Sequence, residues 1–299
     1  MYYRIGIIVV VSLLAFSQVV LAQDDQEERD ALKIAAIEAL MSAPPDRALP
    51  AVTRVLQGDN SDDVKEAALF ILSQIETPEA QALLLDMARN SEGELQEEAI
   101  EMIGIGGDPA ALAGLREIYA AGDNDVREAV LEAYLIADDS QSIYELALAA
   151  DNENDLEDAI EILGAMGAVD DLRNLLDQIG RSEELIEAYA IAGDVETLQM
   201  IASDSSDPDA QIEALEALGI VGDEEADEIL VQVYRDAEDD EVRQAALEGM
   251  LISGNDAAVL QLYRETDDVA LKRELLEMLS IMGSDEVWDL IDEALEQRR

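Results

Sequence analysis

Carboxylates are almost the only groups in this sequence that could do chemistry. Seventy Asp and Glu stand against 18 Lys and Arg, and the chain has no His and no Cys. It therefore offers no imidazole for proton transfer near neutral pH, and no thiolate as nucleophile or soft metal ligand. Paired carboxylates can cleave glycosidic bonds, but with 70 acids such pairs arise at every spacing, so spacing selects none of them. Serine–lysine catalysis is no better supported, because the three lysines fall on surface positions of the pattern described below. One stretch carries a metal-like spacing: in "DNENDLED", 151 to 158, Asp151, Glu153 and Asp155 alternate like the opening of a calcium-binding EF-hand loop. Leu156 occupies the place where that loop needs Gly, and an apolar residue replaces its closing Glu. These three acids are the weak metal candidates of the chain, and no cofactor is expected.

The net charge of −52 excludes the usual electrostatics of nucleic-acid binding, which relies on Lys and Arg displacing counterions. An anionic membrane surface is disfavoured for the same reason. What remains is a basic partner, cations, or solubility. A lysine-poor, acid-rich surface also resembles that of proteins adapted to salt, and the charge is read here as a solvated surface.

The elements that must position these groups emerge from an internal repeat. "ALEALGIVGDEEADEIL" from 214 has relatives throughout, among them "AIEMIGIGGDPAALAGL" from 99, "AIEILGAMGAVDDLRNLL" from 159 and "LLEMLSIMGSDEVWDLI" from 275. Nine copies can be referred to Leu40, Leu72, Ile103, Tyr134, Leu163, Tyr189, Leu218, Met250 and Leu279, at intervals of 26 to 32 residues. Position −3 from the reference is apolar in every copy, and apolar residues at −4, −3, 0 and usually +3 make one buried helical stripe. Position +4 is Gly107, Gly167, Gly193, Gly222, Gly254 and Gly283 in six copies. Short polar residues follow at +5, including Asp108, Asp194 and Asp223. A glycine suited to left-handed backbone and then a helix N-cap is the signature of one helix ending and the next beginning. "GIVGD", 219 to 223, thus reads as helix end, tight turn and helix start rather than as a ligand loop. The second half of each unit is again amphipathic and ends in an acidic loop such as "DND", "DSSDPD" or "DAEDD". Neither helix can bury its stripe alone, so neighbouring pairs must stack. The expected fold is all-α: a superhelical solenoid of about nine antiparallel helix pairs over residues 32–299.

"DDVKEAALFILS", "NDVREAVLEAYL" and "DEVRQAALEGML" resemble the first helix of short HEAT repeats, and the units of about 30 residues look most like bacterial HEAT-like proteins such as phycobilin lyases. The resemblance covers 32 to 299, and is specific for fold and nearly silent on function. The copies between 155 and 209 lack the Val-Arg pair, which implies a looser or differently curved stack there. It implies that second helices line a concave face that binds a protein partner. Tyr119, Tyr144, Tyr234 and Tyr263 lie on second helices at core spacing; should an aromatic edge reach the concave face, Tyr119, Tyr234 and Tyr263, with Arg116, are its candidate partner contacts. Lys65, Arg127, Arg243 and Lys272 open first helices, and the resemblance implies that they bridge to loop acids of a neighbouring unit. Position −2 is Glu in eight copies (Glu38, Glu101, Glu132, Glu161, Glu187, Glu216, Glu248 and Glu277) and is read as an exposed column of helix formers. Trp288 is expected to close the end of the stack, with Arg298 and Arg299 suiting the last C-terminus.

Ahead of the repeats, "MYYRIGIIVVVSLLAFSQVVLAQDDQEE" has a basic start, a short apolar run and a small-residue site at Ala22, the pattern of a cleaved signal peptide over 1–22. Residues 23–31 then form an acidic segment. The expected product is a periplasmic or secreted, non-catalytic scaffold without a membrane anchor, with an acidic cation-responsive module and a lyase-like enzyme as alternatives.

Overall fold

The computed structural model describes residues 26–283 and 287–296. Ala22 and its apolar run, together with Arg298 and Arg299, lie outside the described residues. Among those described there is no strand, and no helix is long and apolar enough to cross a membrane. Eighteen α-helices alternate along the described residues. The first helices of the pairs are α1 (26–38), α3 (Asp62–Ser73), α5 (Glu94–Gly106), α7 (Asn124–Ile136), α9 (Glu153–Ala165), α11 (Glu183–Ala192), α13 (Pro208–Val221), α15 (Asp240–Ser253) and α17 (Val269–Met282). The second helices are α2 (Pro45–Leu56), α4 (Pro78–Asn90), α6 (Pro109–Ala121), α8 (Ser140–Ala149), α10 (Val169–Ile179), α12 (Val195–Ala202), α14 (Glu224–Asp236), α16 (Asp256–Glu265) and α18 (Val287–Glu296). The chain forms two compact units, one ending at Asp139 and one beginning at Ser140. The first contains α1 to α7 and the second α8 to α18.

The predicted punctuation is present. All six +4 glycines have φ between 60° and 72°, and in one of the three copies without one Asp138 takes the same left-handed conformation at φ 56°. Asp108, Asp194 and Asp223 accept backbone N–H bonds from the next helix, for example 2.8 Å from Ala226 to Asp223. The reference residues from Leu72 onward are fully buried, as are the −3 residues from Leu69 to Leu247.

Three details depart from the sequence reading. Residues 26–31 of the expected 23–31 acidic segment already belong to helix α1. Asp30 is 8% exposed and accepts hydrogen bonds from Gln26 and from Ser61, which docks α1 onto the start of α3. Gly219 is not part of the turn. It sits inside α13, where a Cβ would lie 2.5 Å from the carbonyl oxygen of Gly249 on α15. Gly104 faces Ala133 and Gly164 faces Ala188 in the same way, so position +1 of one first helix packs backbone to backbone on position −1 of the next. Finally, Trp288 is 68% exposed and does not bury its ring at the end of the stack.

Candidate partner-binding faces

The acidic loops between pairs are largely consumed by the helices that follow them. Asp123, Asn152, Asp207, Asp239 and Asp268 each accept a backbone N–H at the start of a first helix. Such bonds satisfy donors that the first turn leaves orphaned and place negative charge at the positive end of the helix. The metal-like stretch belongs to this group. Asn152 accepts from the Asp155 amide at 3.0 Å and donates to its carboxylate at 2.8 Å, while Glu153 and Asp155 lie on the first turn of α9. With Asp151 they form a helix start rather than a closed loop, and no group of three or more acids among the described residues is arranged to hold a metal ion.

Residues at the start of first helices tie down the end of the preceding second helix. Arg127 donates to the Tyr119 carbonyl at the end of α6, and Arg243 to the Ala237 carbonyl just past α14. Gln96 and Gln211 do the same for α4 and α12 in their own copies. Arg243 and Lys65 pair with acids of their own helices, Asp240 at 2.5 Å and Asp62 at 3.9 Å, not with loop acids of a neighbour. Lys272 instead stands over the Tyr263 ring, 5.3 Å from its centre. One bridge between loops is made by Arg181, which reaches Asp204 at 2.6 Å and Asp207 at 3.6 Å. The Ser206 hydroxyl, then Arg181, holds the Asp204 carboxyl down at about 2.

Second helices carry further repeat-to-repeat ion pairs. Arg89 on α4 meets Glu117 on α6 at 2.7 Å, and Arg235 on α14 meets Glu265 on α16 at 2.6 Å. Between α10 and α12 the contact is stronger and half-buried. Arg173 holds both oxygens of Asp194, at 2.8 and 2.6 Å, and donates to the Thr197 hydroxyl at 2.9 Å and to Glu196 at 2.9 Å. Burial pushes the Asp194 carboxyl up, but the Arg173 and Thr197 hydrogen bonds outweigh it and leave the group below the usual carboxylate range. This clamp lies in the stretch that lacks the Val-Arg pair, where a looser stack was expected. Asp194 is legible in the sequence as a cap, whereas Arg173 occurs in one copy only and has no periodic signal.

In the second unit these side chains border grooves along the second helices. One runs between α10 and α12, beside Arg173, Leu176, Glu196 and the 55%-exposed Met200. A larger one, about 900 Å³, crosses α12, α14 and α16 past Asp227, Gln232, Arg235 and Gln261. Gln199 lines both, so the two form one continuous surface. The aromatic candidates do not contribute to it. Tyr119 and Tyr234 are 7% and 5% exposed and point into the core, because their spacing places them on the apolar stripe. Tyr263 is half-buried under Lys272, and Arg116 is exposed on α6 in the first unit.

The first-helix side is different in character. The Glu column is exposed, apart from the half-buried Glu248. In the first unit it borders an acidic groove across α3, α5 and α7 that includes Glu66, Glu98, Glu101, Glu128 and Glu132. Burial, and then neighbouring acids, raise Glu66 and Glu98 above the usual carboxylate range. One recurrent feature escaped the sequence reading although the repeat register shows it. Position +2 is Ile105, Ile136, Ile191, Ile220, Ile252 and Ile281 in six copies, each more than 40% exposed.

A family model for HEAT repeats matches residues 55–135 and 192–250. Comparison with curated proteins finds no match. Among solved structures the chain is similar to the complex of CpcE and CpcF of phycocyanin lyase from Nostoc sp., at 17% identity, with 81% of this chain and 95% of that chain covered and a TM-score of 0.37. It is also similar to human deoxyhypusine hydroxylase in complex with glycerol, at 18% identity, with 79% and 99% covered and a TM-score of 0.32.

Proposed function

From the premise that this chain is a solenoid of HEAT repeats, we propose that it is an exported, non-catalytic scaffold that binds a protein along its second helices. HEAT repeats generally mediate protein–protein interaction, and the continuous groove over α10, α12, α14 and α16 is the observation that carries the reading. Its lining mixes carboxylates and arginines with Met200 and Leu176, the blend of polar and apolar groups that suits a protein surface. Without His or Cys, the chain has few side chains that titrate near neutrality or act as nucleophiles, which supports a binding role over a catalytic one. The loop acids already engaged as N-caps weigh against a module that responds to divalent cations. The leader-like first 22 residues support export.

Photo-crosslinking groups placed at Gln199 and Gln232, against one at Asp151 in an inter-pair loop, test the reading in the exported fraction of the native host. A discrete protein adduct from the two groove positions alone is the expected result. Equal adducts from all three positions, or none, would count against the groove. The same fractionation tests export: the chain recovered there should begin at Gln23, and an unprocessed chain confined to the cytoplasm would contradict it.

A further inference from the structure

The exposed isoleucines occupy one defined line of the second unit. Ile191, Ile220, Ile252 and Ile281 stand two residues after the buried references of α11, α13, α15 and α17, at 58%, 61%, 51% and 69% exposure. Four residues before each lies an acid: Glu187, Glu216, Glu248 and Glu277. Residues four apart share one face of a helix, one turn above the other. α11, α13 and α15 pack side by side, α13 meeting α15 backbone to backbone at Gly219 and Gly249, and α17 follows α15 with a lighter contact. The result is an apolar rail crossing four helices, with a parallel acidic rail one turn away.

Scattered exposed isoleucines are ordinary on a protein surface, but four at one repeat position in consecutive units are not scattered. The helix does not require them. Ala165 and Gln74 fill the same position in copies whose references, Leu163 and Leu72, are equally buried. Among the described residues, the acids beside the rail are mostly left without bases. Glu248 accepts from Gln244 at 2.9 Å, and Glu277 meets the exposed Arg273 at 3.7 Å.

We propose that this double rail docks a cationic amphipathic helix of another protein, lying across α11, α13, α15 and α17. The charge selects the occupant. A second copy of a chain with net charge −52 would set acids against acids, and an anionic bilayer would be repelled. A basic helix satisfies both rows, its apolar stripe on the isoleucines and its flanking Lys or Arg on the glutamates. The dimensions agree. Packed helices are about 8–10 Å apart, and residues seven apart on a helix are separated by about 10.5 Å. Two such intervals and the wider one to α17 span at least about 25 Å, so a helix of about 17 residues or more covers the rail. The proposal concerns the opposite helices from the second-helix groove and does not depend on it.

The test uses the full chain and a synthetic 18-residue helix-forming peptide, with Leu at every seventh position and Lys flanking each Leu. A scrambled peptide of the same composition is the control, and binding is read by fluorescence anisotropy. The patterned peptide should bind at least tenfold tighter than the scrambled one. The pair Ile220→Ser and Ile252→Ser should remove that preference, with helicity and melting unchanged because both side chains are exposed. Glu187→Gln with Glu216→Gln should weaken binding of both peptides. Equal binding of the two peptides, unaffected by the Ile changes, would overturn the proposal in favour of diffuse attraction to an acidic surface. Loss of binding on Met200→Ser but not on the Ile changes would place the peptide in the second-helix groove and also overturn it. So would a dimer in sedimentation that the Ile changes dissociate, since a second copy would then cover the rail.

Discussion

Two tyrosines at the reference position and one on a second helix show how a single hydroxyl changes meaning with its surroundings. Tyr134 and Tyr189 are completely buried, and each donates to a carbonyl of the preceding second helix, Leu112 at 3.1 Å and Leu172 at 2.9 Å. Tyr234 is buried nearly as deeply, but its hydroxyl has no hydrogen-bond partner among the described residues, and burial pushes it up to about 12. A net hydrogen bond is worth about 0.5–1.5 kcal/mol, whereas an unmatched buried polar group costs about 1–3 kcal/mol. Tyr134→Phe should therefore destabilise the chain by about 1 kcal/mol. Tyr234→Phe should be neutral or stabilising by a similar amount. Urea denaturation of the two variants checks the contrast; equal losses from both would contradict it.

At the scale of the helix, much was legible before any coordinates, and the reason is geometric. A left-handed residue and an N-cap are demanded by local backbone, so Gly222 and Asp223 announce themselves by type. Core positions announce themselves by period. What was not legible depends on contacts between helices far apart in sequence. Gly219 looks like the other turn glycines, yet it serves the approach of α13 to α15, and only the distance to Gly249 reveals this. Arg173 has no repeat-wide counterpart, so its clamp on Asp194 is invisible to a periodic reading. The tyrosines were assigned to both core and surface because spacing fixes the stripe but not its depth. Gly219→Val tests the close approach. Its branched Cβ meets backbone, which cannot rotate away, and such overpacking costs about 1–3 kcal/mol. Gly107, with open space around its Cβ but a left-handed backbone at φ 63° and ψ 19°, separates the two demands placed on glycine: Gly107→Asn should cost far less than Gly219→Val. Thermal melting of both checks this.

The whole molecule holds two opposed sets of carboxylates. Asp30, Asp194, Asp204 and Glu265 lie below their ordinary values, chiefly because hydrogen bonds from neighbours favour the charged form. Glu66, Glu98 and Glu213 lie above theirs, through burial first and neighbouring acids second. For the raised group, the folded chain holds protons that the unfolded chain has released, so their contribution is fully present below the unfolded value and lost as pH rises through the folded one. For the depressed group, stability is present above the unfolded value of about 4 and lost as pH falls through the folded one. The melting temperature should consequently rise from pH 7 to about pH 5, where the surplus acids begin to protonate, and fall steeply below about pH 3.5. Added salt at pH 7 should raise it as well, by screening the repulsion within a net charge of −52, with little further gain near pH 4.5. A melting temperature flat between pH 7 and 5, or lowered by salt, would contradict this balance.

The unequal lengths of the units have a consequence for recognition. Second helices range from the eight residues of α12 to the thirteen of α14, and the lining of each groove is its own. First helices vary less, and the glutamate–isoleucine pair keeps its four-residue offset whatever the length of its unit. One side of the second unit is thus individual and the other is nearly translationally symmetric. A ligand read by the individual side has a single register, like a key. One read by the uniform side meets the same pattern after a shift of one unit, so it can occupy several overlapping frames and move between them without letting go.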